Sequence, residues 1–186
     1  MTIGIVYYSR TGNTRAAAHL LAEKLRKQNP SVDLIEIEAI KRPRFFTARR
    51  AAIKEKELPI KNPNVDLGKY ETIIVGSPTW ADRCSPFIKT FFSSAKNIKG
   101  KNAVSFITGG GKPDPQGKPR EMMQSLTNFG IKTSDVFLGF QMNKGTIKDG
   151  EHQIDSYLQS ILSLQFVVPL KKYQVTLIVT DESAHR

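Results

Sequence analysis

Among 186 residues there is one cysteine, Cys84. A single thiol makes no internal disulfide and builds no multi-cysteine metal site. The three histidines, His19, His152 and His185, stand far apart in the chain, so no metal centre is expected. Long apolar runs are missing too. Nothing approaches the ~20 residues needed to cross a bilayer, and no membrane span is expected. The first residues, MTIGIVYYSR, lack the basic start, long apolar stretch and small-residue cleavage site of a secretory leader. These absences predict a soluble cytoplasmic protein. Acidic side chains are scarce: 17 Asp and Glu stand against 28 Lys and Arg, a net charge of +11. The rest of the composition, 39% hydrophobic and 24% charged, is that of a chain with a buried core, which excludes disorder as the main state. The length suits one domain, or one domain with a small appendage.

A charge of +11 predicts attraction to something anionic. The excess is concentrated. Residues 41–61 hold eight basic and two acidic side chains, contributing +6. A nucleic-acid reading is open here, because basic clusters neutralise phosphates and Phe45 and Phe46 are able to stack on bases. No nucleic-acid-binding motif accompanies the cluster, so a solvated helix over Thr47–Leu58, punctuated by Pro43 and Pro59, is the expectation.

Along the chain, strand and helix patterns alternate. Short apolar, β-rich runs at Ile3–Tyr8, Thr72–Val75, Asn102–Thr108 and Val136–Phe140, with an apolar–polar alternation at Val32–Ile37, predict five strands, the one at Thr72–Val75 ended by Gly76. Helical spacing recurs over Asn13–Lys27, Pro86–Ala95, Arg120–Phe129 and His152–Leu164. The first, third and fourth strands are apolar on both faces, as parallel strands covered by helices on each side must be. The pattern predicts an open, doubly wound α/β sheet. Tyr173–Val179 is either a sixth, edge strand or an extension that packs on another copy of the chain.

In such sheets ligands bind outside the carboxyl ends of the strands. After the first strand, Ser9-Arg10-Thr11-Gly12-Asn13-Thr14 runs straight into a helix. Free N–H groups at a helix N-terminus form an anion site, Gly12 allows close approach, and three hydroxyls are available to phosphate oxygens. One N-cap needs only one such residue, and here there are several. No Gly-Lys-[Ser/Thr] and no G-x-G-x-x-G follows, so neither a Walker loop nor a dinucleotide fingerprint is present. After the third strand comes Gly76-Ser77-Pro78-Thr79-Trp80-Ala81-Asp82, with the only tryptophan; its ring suits either stacking on a planar heterocycle or ordinary core packing. After the fourth come Thr108-Gly109-Gly110-Gly111-Lys112, whose glycines expose backbone groups. Cys84 is either a reactive thiol beside Arg83 or a small buried residue.

Ser-x-Thr-Gly-x-Thr after the first strand and Gly-Ser-Pro-Thr-Trp after the third, in that order, resemble the flavodoxin family over roughly residues 3–164. The resemblance implies a five-stranded parallel sheet of order 2-1-3-4-5 that binds FMN. It implies that Ser9, Thr11, Gly12, Asn13 and Thr14 hold the phosphate. Ser77, Pro78, Thr79, Trp80 and Ala81 would line the flavin ring, with Thr108, Gly109, Gly110 and Gly111 on its other side. Two departures stand out. Flavodoxins usually place an acidic residue and then a tyrosine in the third loop; here the glycines are followed by Lys112, Pro113 and Asp114 with no aromatic, which leaves one flavin face open to a second substrate. Flavodoxins are also typically acidic, so a basic chain implies an acidic redox partner or a less negative flavin potential if its cations lie near the site. The domain is expected to span 1–164 with the basic insert at 41–61, followed by an extension at 165–186 that offers a route to a homodimer. The expected function is electron transfer to a partner protein. The alternative is an FMN-dependent oxidoreductase moving electrons from NAD(P)H to a quinone, and a third is a non-redox binding module.

Overall fold

The computed structural model describes residues 1–29, 31–54, 56–111 and 117–163. The 165–186 extension and its Tyr173–Val179 segment lie outside the described residues.

Five strands form the parallel body of the sheet: β1 (Ile3–Tyr7), β2 (Val32–Glu36), β3 (Thr72–Trp80), β5 (Asn102–Gly109) and β6 (Lys132–Asn143). Their order is β2-β1-β3-β5-β6, the arrangement the resemblance implies. The sheet has seven strands, however, not five. β4 (Arg83–Cys84) folds back antiparallel on β3, and β7 (Thr146–Asp149) pairs antiparallel with the end of β6. Both additions are two-residue hairpins. Ala81 and Asp82 have φ of 52° and 57°, Lys144 and Gly145 have φ of 46° and 83°, and left-handed residues at both turn positions match the twist of antiparallel strands.

Alternation along each strand sorts side chains onto two cores. From β1, Ile3, Ile5 and Tyr7 face α1 (Asn13–Arg26) and α5 (Ile154–Ser163). Val6 and Tyr8 face the other layer, which holds α2 (Phe45–Ile53) and α3 (Phe87–Ser94). In α1 the buried positions Thr14, Ala17, Ala18, Leu21, Ala22 and Leu25 recur at three- and four-residue steps, one stripe of a 3.6-residue helix. Lys24 and Arg26 close its last turn, where the helix dipole favours cations.

Element boundaries differ from the sequence reading at several places. β3 does not stop at Gly76 but continues to Trp80, because Gly76 is a packing position rather than a terminator. The predicted helix over Arg120–Phe129 is α4 (Lys118–Gln124) followed by a 3-10 segment, Ser125–Phe129. The insert helix starts at Phe45 and ends at Ile53. Leu58 lies beyond it, with its amide donating to Thr90 Oγ1 at 3.3 Å. Among the described residues no helix is long and apolar enough to cross a membrane.

Candidate functional site

The carboxyl ends of β1, β3 and β5 lie side by side, and the connection out of β1 turns one way while β3 lies on the other side. That is the point where a doubly wound sheet opens a crevice. Three segments meet there.

The first runs from β1 into α1. Gly12 is the N-cap, at φ 92°, and no side chain caps the helix. The amides of the first turn are thus left to an incoming anion. The Gly12 amide donates to Ser9 Oγ at 3.2 Å, which folds the loop into a concave turn, and nothing lies within 4 Å of where a Gly12 Cβ would project. Thr11 is exposed. Asn13 Oδ1 accepts the Gly145 amide at 2.7 Å, so the β6–β7 hairpin is tied to this loop.

The second segment is the end of β3 with its hairpin. Ser77 is fully buried, and its Oγ accepts the Ser85 amide at 2.8 Å, stitching the hairpin base. Pro78 pairs with Thr108 of β5 in register. Trp80 is 7% exposed and packs edge-on against Tyr8 and Phe87, with ring centroids 5.8 and 6.4 Å away. Ala81 forms the first residue of the turn.

The third segment is Thr108–Gly111. Gly110 and Gly111 are exposed with open space above them, and Gln141 Nε2 reaches the Gly110 carbonyl at 3.5 Å. Thr108 is the residue on which all three segments converge. Its Oγ1 shares a buried 2.8 Å hydrogen bond with Thr14 Oγ1, and its carbonyl accepts the Thr79 hydroxyl at 3.3 Å. Thr14, Thr79 and Thr108 therefore hold helix, hairpin and glycine loop together.

No family model matches the chain. A curated NAD(P)H dehydrogenase (quinone) of Afipia carboxidovorans is 30% identical over 141 residues, which cover 73% of this chain and 66% of that protein. One from Rhodopseudomonas palustris is 26% identical over 155 residues, covering 78% of this chain and 77% of that one. The chain thus spans just under two thirds of the length of the Afipia protein. A solved flavoprotein of Lactobacillus acidophilus, in complex with FMN, matches with a TM-score of 0.60 at 20% identity, covering 84% of this chain and 97% of that one. Oxidised flavodoxin 2 of Bacillus cereus matches with a TM-score of 0.55 at 19% identity, covering 89% and 99%. The fold is flavodoxin-like. At these identities the structural matches speak for the fold, and the site rests on this chain's own residues.

Charged side chains gather at the end of the crevice where β1 runs into α1. Arg15 holds Glu36 through two short contacts, 2.7 and 2.8 Å, and Tyr7 donates to the same carboxylate at 3.3 Å. Burial first, and then Glu36, push the Tyr7 phenol up to about 12. Burial also raises Tyr8, against the pull of Arg10 and Arg42. Arg10 Nε donates to the Pro43 carbonyl at 3.0 Å, so the basic insert is fastened to the loop between β1 and α1. A cleft of about 400 Å³ lies between them, with Arg15, Arg42 and Lys61 on its walls.

Cys84 is buried, and its thiol donates to the Pro119 carbonyl at 3.6 Å. Desolvation pushes it up to about 12 from an ordinary 9.0, although a Ser77 hydrogen bond pulls the other way. A protonated, enclosed thiol is a poor nucleophile. We predict that alkylation by iodoacetamide stays slow in the native chain from neutral pH to 9.0 and becomes fast on unfolding. Because the folded value is the raised one, this group takes nothing from stability below 9.0 and erodes it as pH climbs towards 12. Native labelling that rises steeply with pH below 9.0 would show an accessible thiolate instead.

Two participants escaped the sequence reading. Gly145 anchors Asn13 from 132 residues away, and the Lys144-Gly145 pair before a short alternating run was its only signal. Ser85, fully buried beneath the hairpin, carries a hydroxyl with no hydrogen-bond partner among the described residues, and nothing in the sequence marks it.

Proposed function

We propose that this chain binds FMN at the carboxyl edge of the sheet and transfers electrons between protein partners. The observation that carries the proposal is the convergence on Thr108 of an uncapped helix N-terminus, a tryptophan hairpin and an open glycine loop. The donor set fits a phosphate: first-turn amides of α1, the Ser9 and Thr11 hydroxyls, and the Asn13 side-chain amide, whose oxygen alone is engaged by Gly145. Gly12 keeps the approach clear. Ser77, Pro78, Thr79, Trp80 and Ala81 then flank one side of the flavin ring, and Thr108, Gly109, Gly110 and Gly111 the other. FMN supplies the redox chemistry when bound; the protein supplies position and electrostatics. Trp80, backed by Tyr8 and Phe87, gives the β3 side its apolar wall, while Arg10 and Arg42 supply a positive field at the phosphate end.

The domain of this reading is residues 1–164, with the 165–186 extension as a route to a homodimer. A cytoplasmic location, where a lone thiol stays reduced, belongs to the same reading, as does a redox partner with an acidic surface. The test is the absorbance spectrum after incubation with FMN and removal of the excess. A retained flavin band is expected, and a colourless protein rejects the proposal.

A second reading, an FMN-dependent NAD(P)H:quinone oxidoreductase, is favoured by the names of the two curated relatives and by the open space over Gly110 and Gly111. NAD(P)H oxidation with FMN and a soluble quinone, faster than free FMN supports, would establish it; the rate of free FMN alone would leave electron carriage.

The two threonines of the phosphate loop separate binding from folding. Thr11→Ala is expected to weaken FMN by roughly 1–2 kcal/mol, one lost phosphate hydrogen bond, with an unchanged melting temperature. Thr14→Ala strands the buried Thr108 hydroxyl, so it is expected to cost about 1–3 kcal/mol of stability as well. Flavin titration and thermal melts of both variants measure this, and an unmoved melt in Thr14→Ala contradicts the role given to that pair.

A further inference from the structure

Large apolar side chains left exposed are confined, among the described residues, to one stretch of fourteen: Ile40 at 59%, Phe45 at 53%, Phe46 at 82% and Ile53 at 55%. The same stretch carries Lys41, Arg42, Arg44, Arg49, Arg50 and Lys54, all exposed, and not one acid from 40 to 54. None of these six cations is in an ion pair with a described residue; Arg49 lies over the Phe45 ring at 5.8 Å. The segment is nevertheless well seated. Ala48, Ala51 and Ala52 bury the inner face of α2, with Ala48 and Ala52 in the core that holds Tyr8, Trp80 and Phe87. The small residues face in and the large ones face out, the reverse of a helix whose bulky apolar face serves its own core.

We propose that this face docks the protein on an anionic phospholipid surface. Each half of the pattern matches one layer of such a surface. Arginine and lysine heads pair with lipid phosphates, while the Phe45, Phe46, Ile40 and Ile53 tips enter the acyl boundary beneath them. Long cationic side chains let both happen at once, because their stems lie along apolar surface while their heads stay at the phosphates. An acidic protein would answer the charge equally well, but it would leave four bulky apolar tips to be matched by shape. Thr47 is the only uncharged polar side chain on the stretch to give a protein partner a directional hydrogen bond. A fluid anionic interface makes no such demand. α2 also packs against β3 and β4, so docking brings the hairpin edge of the sheet towards the lipid, where a lipid-dissolved electron acceptor would reside.

The test is co-sedimentation of the full chain with vesicles at about 0.1 M salt, read by protein in the pellet, so it stands whether or not FMN is bound. Vesicles of phosphatidylcholine with phosphatidylglycerol are expected to bind at least about tenfold more tightly than phosphatidylcholine alone. Arg49→Glu with Arg50→Glu is expected to lower binding by about tenfold or more. Phe45→Ser with Phe46→Ser, which leaves the charge intact, is expected to lower it by a similar factor. These side chains are exposed, and an unchanged melting temperature checks that each variant folds. Absence of binding to anionic vesicles overturns the proposal. So does binding that the Phe pair does not affect, because charge alone would then explain it. A chain that ignores vesicles but is retained on immobilised polyglutamate would mark the face as a docking site for an acidic protein.

Discussion

Gly76→Ala is expected to destabilise the folded chain by about 3 kcal/mol, at the upper end of the cost of over-packing a core. Gly76 lies in the middle of the sheet, in register with Tyr7 on β1 and Phe106 on β5. A Cβ built there meets Phe106 Cζ at 2.2 Å, Phe106 Cε1 at 2.5 Å and Tyr7 Cβ at 2.9 Å. Real carbon atoms do not approach so closely, and the Phe106 ring has little room to yield. It is fully buried and already edge-on to Phe140, with centroids 6.2 Å apart. Moving Tyr7 Cβ means moving the backbone of the neighbouring strand β1. For a chain of this length, about 3 kcal/mol lowers the melting temperature by roughly 6–12 °C. Phe106→Leu removes the colliding ring atoms, so the double variant is expected to be more stable than the two single losses added together, with a coupling of about 1 kcal/mol or more. Urea melts of the four proteins close the cycle. A Gly76→Ala chain within about 0.5 kcal/mol of the parent means that the strands part more easily than a close-packed core allows.

The same glycine shows where the sequence was legible and where it was not. Continuous apolar runs at Ile3–Tyr8 and Asn102–Thr108 mark strands buried on both faces, and these are β1 and β5 almost residue for residue. The run at Thr72–Val75 is read correctly as a strand but ended too early. A glycine in a strand usually means a break or a close approach, and only three-dimensional packing against Phe106 tells the two apart. β6 runs from Lys132, well before the predicted Val136; its first residues are polar and half or fully exposed, so they carry no apolar signal. β7 is too short and too polar to declare itself without its turn. On the candidate site, the turn from β1 into α1 is legible because several hydroxyl and amide residues crowd one helix start. The Thr14–Thr108 bond spans 94 positions and is invisible to any local pattern. Phe45 and Phe46 are visible as unusual, yet their exposure becomes plain only once the alanines of α2 are seen to take the inward face.

Trp80→Ala is expected to have the largest effect of any single substitution at the site, about 3–5 kcal/mol of stability. The indole is nearly enclosed, and it is wedged beside a Tyr8–Phe87 pair whose ring centroids are 4.3 Å apart. Both neighbours are held by the backbone of β1 and α3, so they do not collapse into the space left behind. The cost is therefore the lost burial plus most of a cavity. Because Trp80 is the only tryptophan, its removal also removes the intrinsic reporter, and the melt must be followed by far-ultraviolet circular dichroism. Trp80→Phe separates packing from flavin contact. It keeps an aromatic edge against Tyr8 and most of the buried surface, so it is expected to fold with a smaller loss than the alanine variant. If the indole also lines the flavin ring, Trp80→Phe weakens FMN by about 0.5–1.5 kcal/mol, the worth of an aromatic pairing beyond burial. In the parent chain, FMN titration then quenches tryptophan emission in step with flavin uptake. Retained FMN affinity in Trp80→Phe, with no quenching in the parent, assigns the indole to the core alone and moves the ring contact to the half-buried turn residue Ala81. A Trp80→Ala chain within about 1 kcal/mol of the parent contradicts the cavity argument itself.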